Sequence, residues 1–250
     1  MAGAIFVVAM FVLIAGFVAY DMIQRPKRLK AAQEQDARRG EEVRRRGWKL
    51  EVERGPREVS YDYSGTEEGI PWKFELRSWE AGRGSTRQDR VSSRWFTESV
   101  KTRGGILLIW PSFGMPQDVS PTSVPPFVMK LMLTPLINAL GAQGPEADLI
   151  TNASPVVPDD PLLRANYLLR ATDPAAMNRF LDAGARATLI DAAPWLPVRE
   201  GANHLIIAAL SESGLTILVS GWVNDVELLS KVVRAGAELS RAWQSGQRFS

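Results

Sequence analysis

Ser112, His204 and an aspartate such as Asp173 or Asp191 are the residues here whose types could form a nucleophilic triad. A serine hydroxyl attacks only when a base takes its proton, and imidazole does this near neutral pH once a carboxylate orients it. Ser112 sits in Trp110-Pro111-Ser112-Phe113-Gly114, after an apolar run. That is the second half of the Gly-x-Ser-x-Gly elbow, whose first glycine is absent. His204 is the single histidine and precedes Leu205-Ile206-Ile207, where a strand-edge histidine is ordinary. Both residues therefore read as structural. A membrane-anchored serine hydrolase on Ser112 and His204 is the alternative.

Other motifs carry less chemistry. Asp159 and Asp160, between Pro158 and Pro161, could touch a cation, but adjacent loop carboxylates are more often solvated surface. Glu67 and Glu68 fall at an expected hairpin tip. Gly82-Arg83-Gly84 lacks the third glycine of a dinucleotide fingerprint and sits in a loop between strands. The chain has no cysteine, which excludes disulfides, thiol catalysis and cysteine-held zinc or iron–sulfur clusters. No metal and no cofactor is expected. The net charge is only +2, with basic residues concentrated near the N-terminal end, so no nucleic-acid partner is expected.

The elements that would position these groups begin with an anchor. Residues 1–20 carry no charged side chain, and Asp21 is the first. Twenty helical residues span about 30 Å, the thickness of a bilayer's hydrocarbon core. No Lys or Arg precedes the run, which argues against a cleaved signal peptide. Arg25, Lys27, Arg28 and Lys30 follow it, as stop-transfer residues or as a patch for anionic lipid head groups. The expectation is a single-pass protein of the inner membrane, with residues 1–23 in the bilayer and the remainder facing the cytoplasm. Residues 24–46 read as a charged helical stalk with Glu34/Arg38 and Glu41/Arg45 at i,i+4 spacing.

Residues 47–248 read as one α+β domain, a largely antiparallel sheet with helices packed on one side. Trp48, Leu50 and Val52 alternate with charged residues; Val59–Tyr63 and Ile70–Trp79 form a hairpin around Ser64–Gly69; residues 91–100 and 105–110 give two more strands. Residues 111–126 contain five prolines and read as a long loop. Residues 162–171, 186–191, 202–210 and 215–222 are predicted strands. Thr172-Asp173-Pro174 starts a helix to about Ala183 or Gly184, and an amphipathic helix from Asn224 closes the chain.

Two features could serve a partner. The segment 127–140 is apolar on nearly every side, so Phe127, Met129, Leu131, Met132 and Leu136 could contact a membrane protein or the bilayer as readily as fill a core. Eight tryptophans suit core packing, and some of them a contact surface.

The N-terminal span, the basic stalk, the Tyr61-x-x-x-Gly65-x-x-x-Gly69-x-x-Trp72 hairpin, Thr172-Asp173-Pro174-Ala175-Ala176 and the closing amphipathic helix together resemble uncharacterised single-span bacterial membrane proteins with a cytoplasmic α+β domain. The resemblance implies an anchored domain and carries over no active site. The expected function is that of a non-enzymatic, membrane-tethered accessory or scaffold protein bound to a membrane protein complex. An anionic-lipid-sensing domain is a further alternative.

Overall fold

The computed structural model describes residues 33–81, 88–112, 140–192, 207–219 and 225–247, together with Lys30, Leu133, Thr134, residues 136–138 and Val223. The chain divides into two units, Met1–Gly47 and Trp48–Ser250. In the first, residues 33–45 form a helix, α1, with Arg45 bonded to Glu41 at 2.6 Å and Arg46 3.9 Å from Glu42. Such exposed pairs contribute about 0.3–0.5 kcal/mol each.

The second unit is built on a nine-stranded sheet in which every neighbouring pair is antiparallel. The strands are β1 (Lys49–Arg54), β2 (Glu58–Glu67), β3 (Ile70–Ala81), β4 (Gln88–Thr97), β5 (Leu107–Pro111), β6 (Ser154–Val156), β7 (Tyr167–Ala171), β8 (Ile207–Leu210) and β9 (Leu215–Val219), in the order β1-β2-β3-β4-β9-β8-β5-β7-β6.

The first four strands are a meander set by alternation. Tyr61, Tyr63, Trp72, Phe74, Leu76 and Trp95 are buried on one face, while Glu51, Asp62, Glu75 and Arg94 lie on the other. The β2–β3 turn is tighter than Ser64–Gly69. Glu67 pairs with Ile70, leaving Glu68 (φ 50°) and Gly69 (φ 82°) as two consecutive left-handed residues, the two-residue turn that matches strand twist. Gly65 faces Trp72 across the pair, and a Cβ there would lie 2.8 Å from the Trp48 ring. The space it leaves lets Trp48 and Trp72 meet edge to face, centroids 5.0 Å apart.

Strands β8-β5-β7-β6 follow the order of the split βαββαβ arrangement. The helices joining them are α2 (Pro145–Asn152) between β5 and β6, α3 (Pro161–Asn166) between β6 and β7, and α4 (Pro174–Phe180) with α5 (Arg186–Ala192) between β7 and β8; α6 (Val226–Gln247) follows β9. Asp160, Asp173 and Asp225 cap α3, α4 and α6 by accepting backbone N–H bonds, and proline occupies the first turn of α3 and α4.

Helices cover both faces of this half, not one side only. All five residues of β5 are buried. Leu108 and Trp110 pack in a cluster with Leu133, Leu136, Ile150 of α2 and Ala209. The alternate residues Leu107 and Ile109 are buried on the face that carries α4 and α6. A continuous apolar run such as 105–110 is the pattern of a strand covered on both faces, whereas the alternating β1–β4 can leave one face to water.

Three element assignments change. Residues 162–171 are not all strand: Asp160-Pro161 starts α3, and the strand begins at Tyr167. Residues 186–191 are helix, because Ala185, Leu189 and Ala192 recur at helical spacing and are buried, which outweighs the β-branched Thr188 and Ile190. The helix opened at Pro174 ends at Phe180 and passes through a π turn, Leu181–Ala185, broken at Gly184 (φ 104°).

Candidate functional site

Of the residues proposed for a triad, Ser112 and Asp173 are placed apart. Ser112 is 7% exposed; its N–H donates to Asn166 O and its Oγ to Ala165 O, both at 2.9 Å. It thus closes the end of the β5–β7 ladder where Pro111 faces Tyr167. Asp173 lies past Ala171, which faces Leu107, at the opposite end of the ladder. A five-residue strand separates those ends by roughly 17 Å. Asp191 is exposed on α5, and His204 lies outside the described residues.

Other candidate groups have local roles. Asp160 accepts from Leu162 N at 2.8 Å and Leu163 N at 3.2 Å, while Asp159 is exposed. Glu68 pairs with Arg241 of α6 at 2.5 Å. Leu136 is 9% exposed within the core cluster, so its side chain packs against the sheet and is not offered outward. Phe127, Met129, Leu131 and Met132 lie outside the described residues, as do Arg25, Lys27, Arg28 and Gly82-Arg83-Gly84; Lys30 is exposed. Trp48, Trp72, Trp95, Trp110 and Trp243 are buried and Trp79 is partly exposed, while Trp195 and Trp222 lie outside. Among the described residues no group of three or more His, Asp or Glu is placed to hold a metal ion, and no helix is long and apolar enough to cross a membrane. The uncharged run 1–20 is not among them.

The structure adds a cleft of about 440 Å³ that motif reading did not single out. Its walls are the loop between β4 and β5, the β7–α4 turn, α4 and the last turn of α6. Hydrogen bonds hold the loop in place. Thr102 N donates to Ser211 O at 3.0 Å, and Thr102 Oγ1 donates to Gly105 O. Ile106 N donates to Thr172 Oγ1 at 2.9 Å. Trp243 Nε1 donates to Lys101 O at 3.2 Å. Gly105 is required by close approach, since a Cβ there would lie 2.5 Å from Thr172 Oγ1. Trp243 also meets Phe180 edge to face, centroids 6.3 Å apart, beneath the cleft. The charged groups are Arg103, Arg179 and Asp173. Asp173 Oδ1 accepts from Ala175 N, and Oδ2 lies 3.6 Å from Arg179, in a pair about half exposed on both sides. The one sequence signal was the Gly104-Gly105 pair after Thr102-Arg103, which reads as any turn does.

A second electrostatic feature lies on the polar face of the meander. Glu51, Asp62, Glu75 and Arg94 are directly opposite one another across β1 to β4. Arg94 pairs with Glu75 at 2.8 Å, and Asp62 Oδ1 is buried without a hydrogen-bond partner. Burial, then the charge of Glu75, raise the Asp62 carboxyl above its ordinary range, with Glu53 and Glu51 adding to this and Arg77 opposing it.

Comparison with known protein families, with curated proteins and with solved structures finds no match to this chain.

Proposed function

We propose that this chain is a membrane-tethered, non-enzymatic accessory or scaffold protein. In this reading residues 1–23 lie in the bacterial inner membrane, and the α+β unit faces the cytoplasm, where it binds a membrane protein complex. The observation that carries the reading is the uncharged run of residues 1–20 followed by Arg25, Lys27, Arg28 and Lys30, the charge step that retains a span with its basic flank inside. The same four side chains would lie at the anionic head groups of the inner leaflet. A scaffold role also accords with Ser112, whose hydroxyl is buried and bonded into the β5–β7 end.

Fractionation tests the anchor. The full chain should stay with the membrane through an alkaline carbonate wash and be released by detergent. A variant lacking residues 2–23 should appear in the soluble fraction, folded by circular dichroism. Release of the full chain by carbonate would overturn the tether. In membrane vesicles opened from the cytoplasmic side, added protease should digest the α+β unit; full protection there would overturn the orientation.

A further inference from the structure

The geometry points to the cleft between the β4–β5 loop, α4 and the end of α6 as a binding site for a phosphate oxyanion, held by the guanidiniums of Arg103 and Arg179. Neither the tether nor the accessory role assigns a ligand to this place; the phosphate site stands apart from both, and only the headgroup as its source rests on the tether.

Three observations lead there. First, the wall is pre-formed. The hydroxyls of Thr102 and Thr172 and the indole N–H of Trp243 are all bonded to the scaffold, so ligand binding need not order the loop. Second, that wall carries uncommitted donors. Arg103 makes no ion pair or side-chain hydrogen bond among the described residues, and the N–H groups of Arg103 and Gly105 reach no acceptor there. Third, the net charge is positive: two guanidiniums against one carboxylate leave the cleft cationic. Arg179 is held only loosely, at 3.6 Å and about half exposed, so an oxyanion can take over part of its fork from Asp173. Guanidinium forks match phosphate geometry in a way that a lysine point charge does not.

Two groups oppose the anion and keep its binding weak. Asp173 repels it, and the C-terminal turn of α6, with Gly246 in the wall, presents its negative dipole end. The source of the phosphate is either a free ion or a phospholipid headgroup beside the tethered domain.

The test uses the full chain in mild detergent and inorganic phosphate as the probe, read by line broadening in ³¹P spectra. Saturable broadening is expected, weakened about tenfold by Arg103→Gln or Arg179→Gln, the loss of one charge-assisted hydrogen bond. Asp173→Asn, which keeps a capping side chain, should tighten binding, and Arg103→Lys should retain part of it. Near-UV circular dichroism verifies that each variant is folded. Release of bound phosphate on adding phosphatidate to the micelles, but not phosphatidylcholine, assigns the site to a headgroup; no release assigns it to the free ion. Absence of saturable broadening, or broadening in both folded glutamine variants as strong as in the unsubstituted chain, overturns the proposal, the latter by placing the phosphate elsewhere, as on the basic stretch 25–46.

Discussion

The indole of Trp95, fully buried on β4, fills the space that a side chain at Gly236 of α6 would need. A Cβ at position 236 would lie 2.5 Å from both Cε2 and Cζ2 of the ring. The relationship seats the closing helix on the meander and lets the largest residue of β4 lie under the backbone of α6.

Gly236→Ala therefore forces the ring or the helix to move. Overpacking of this kind costs about 1–3 kcal/mol, partly offset by the roughly 0.5–1 kcal/mol that alanine gains over glycine inside a helix. A lowered urea midpoint in detergent with an unchanged slope is expected. Gly40→Ala in α1, with no atom within 4 Å of the added Cβ, should show no such loss.

Ser112→Ala removes the bond to Ala165 O from a buried site. A loss of about 1 kcal/mol is expected. A fluorophosphonate probe, which labels activated serines, should leave Ser112 of the wild-type chain unmodified. Labelling at Ser112 would establish the hydrolase alternative in place of the scaffold reading.

Tyr167 Oη donates to Leu189 O at 2.9 Å inside the unit, and burial raises its pKa far above the ordinary tyrosine value. Tyr167→Phe should destabilise by about 1 kcal/mol, because the carbonyl at Leu189 loses its donor. No tyrosinate absorbance from this residue should appear before alkaline unfolding.

Asp62 gives a pH signature. Its folded pKa lies above the unfolded value, so the folded state holds the proton more tightly, and stability falls as pH rises through the interval between the two. Asp62→Asn should therefore stabilise the chain at neutral pH. The gain should vanish once pH falls below the ordinary carboxylate range, where the wild-type residue is protonated in both states. Unfolding midpoints of the pair across pH 3–7 measure this; a parallel offset at all pH values would assign the effect to packing.

What was legible in the sequence follows the strength of each periodic signal. The meander was readable because Tyr61, Tyr63, Trp72, Phe74 and Leu76 alternate with polar partners, and Ser213-Gly214 marked the β8–β9 turn. Residues 162–166 run into the true strand at Tyr167, and 186–191 are short and carry the β-branched Thr188 and Ile190, so periodicity alone read both as strand; Asp160-Pro161 was the signal that could have separated helix from strand in the first. The covering of both faces depends on where Leu133, Leu136 and α2 meet the sheet, a long-range choice that local pattern does not encode. The cleft is also non-local. Arg103, Asp173, Arg179 and Trp243 meet only because β5 begins where β7 and α6 end.

The most direct test of the accessory reading is the stoichiometry of what accompanies the native chain. Extracted from its own membrane in mild detergent and purified under gentle conditions, the protein should elute with a defined membrane protein complex at a fixed ratio. Recovery of the chain alone, at the mass of its own protein–detergent complex and across several mild detergents, would contradict the account.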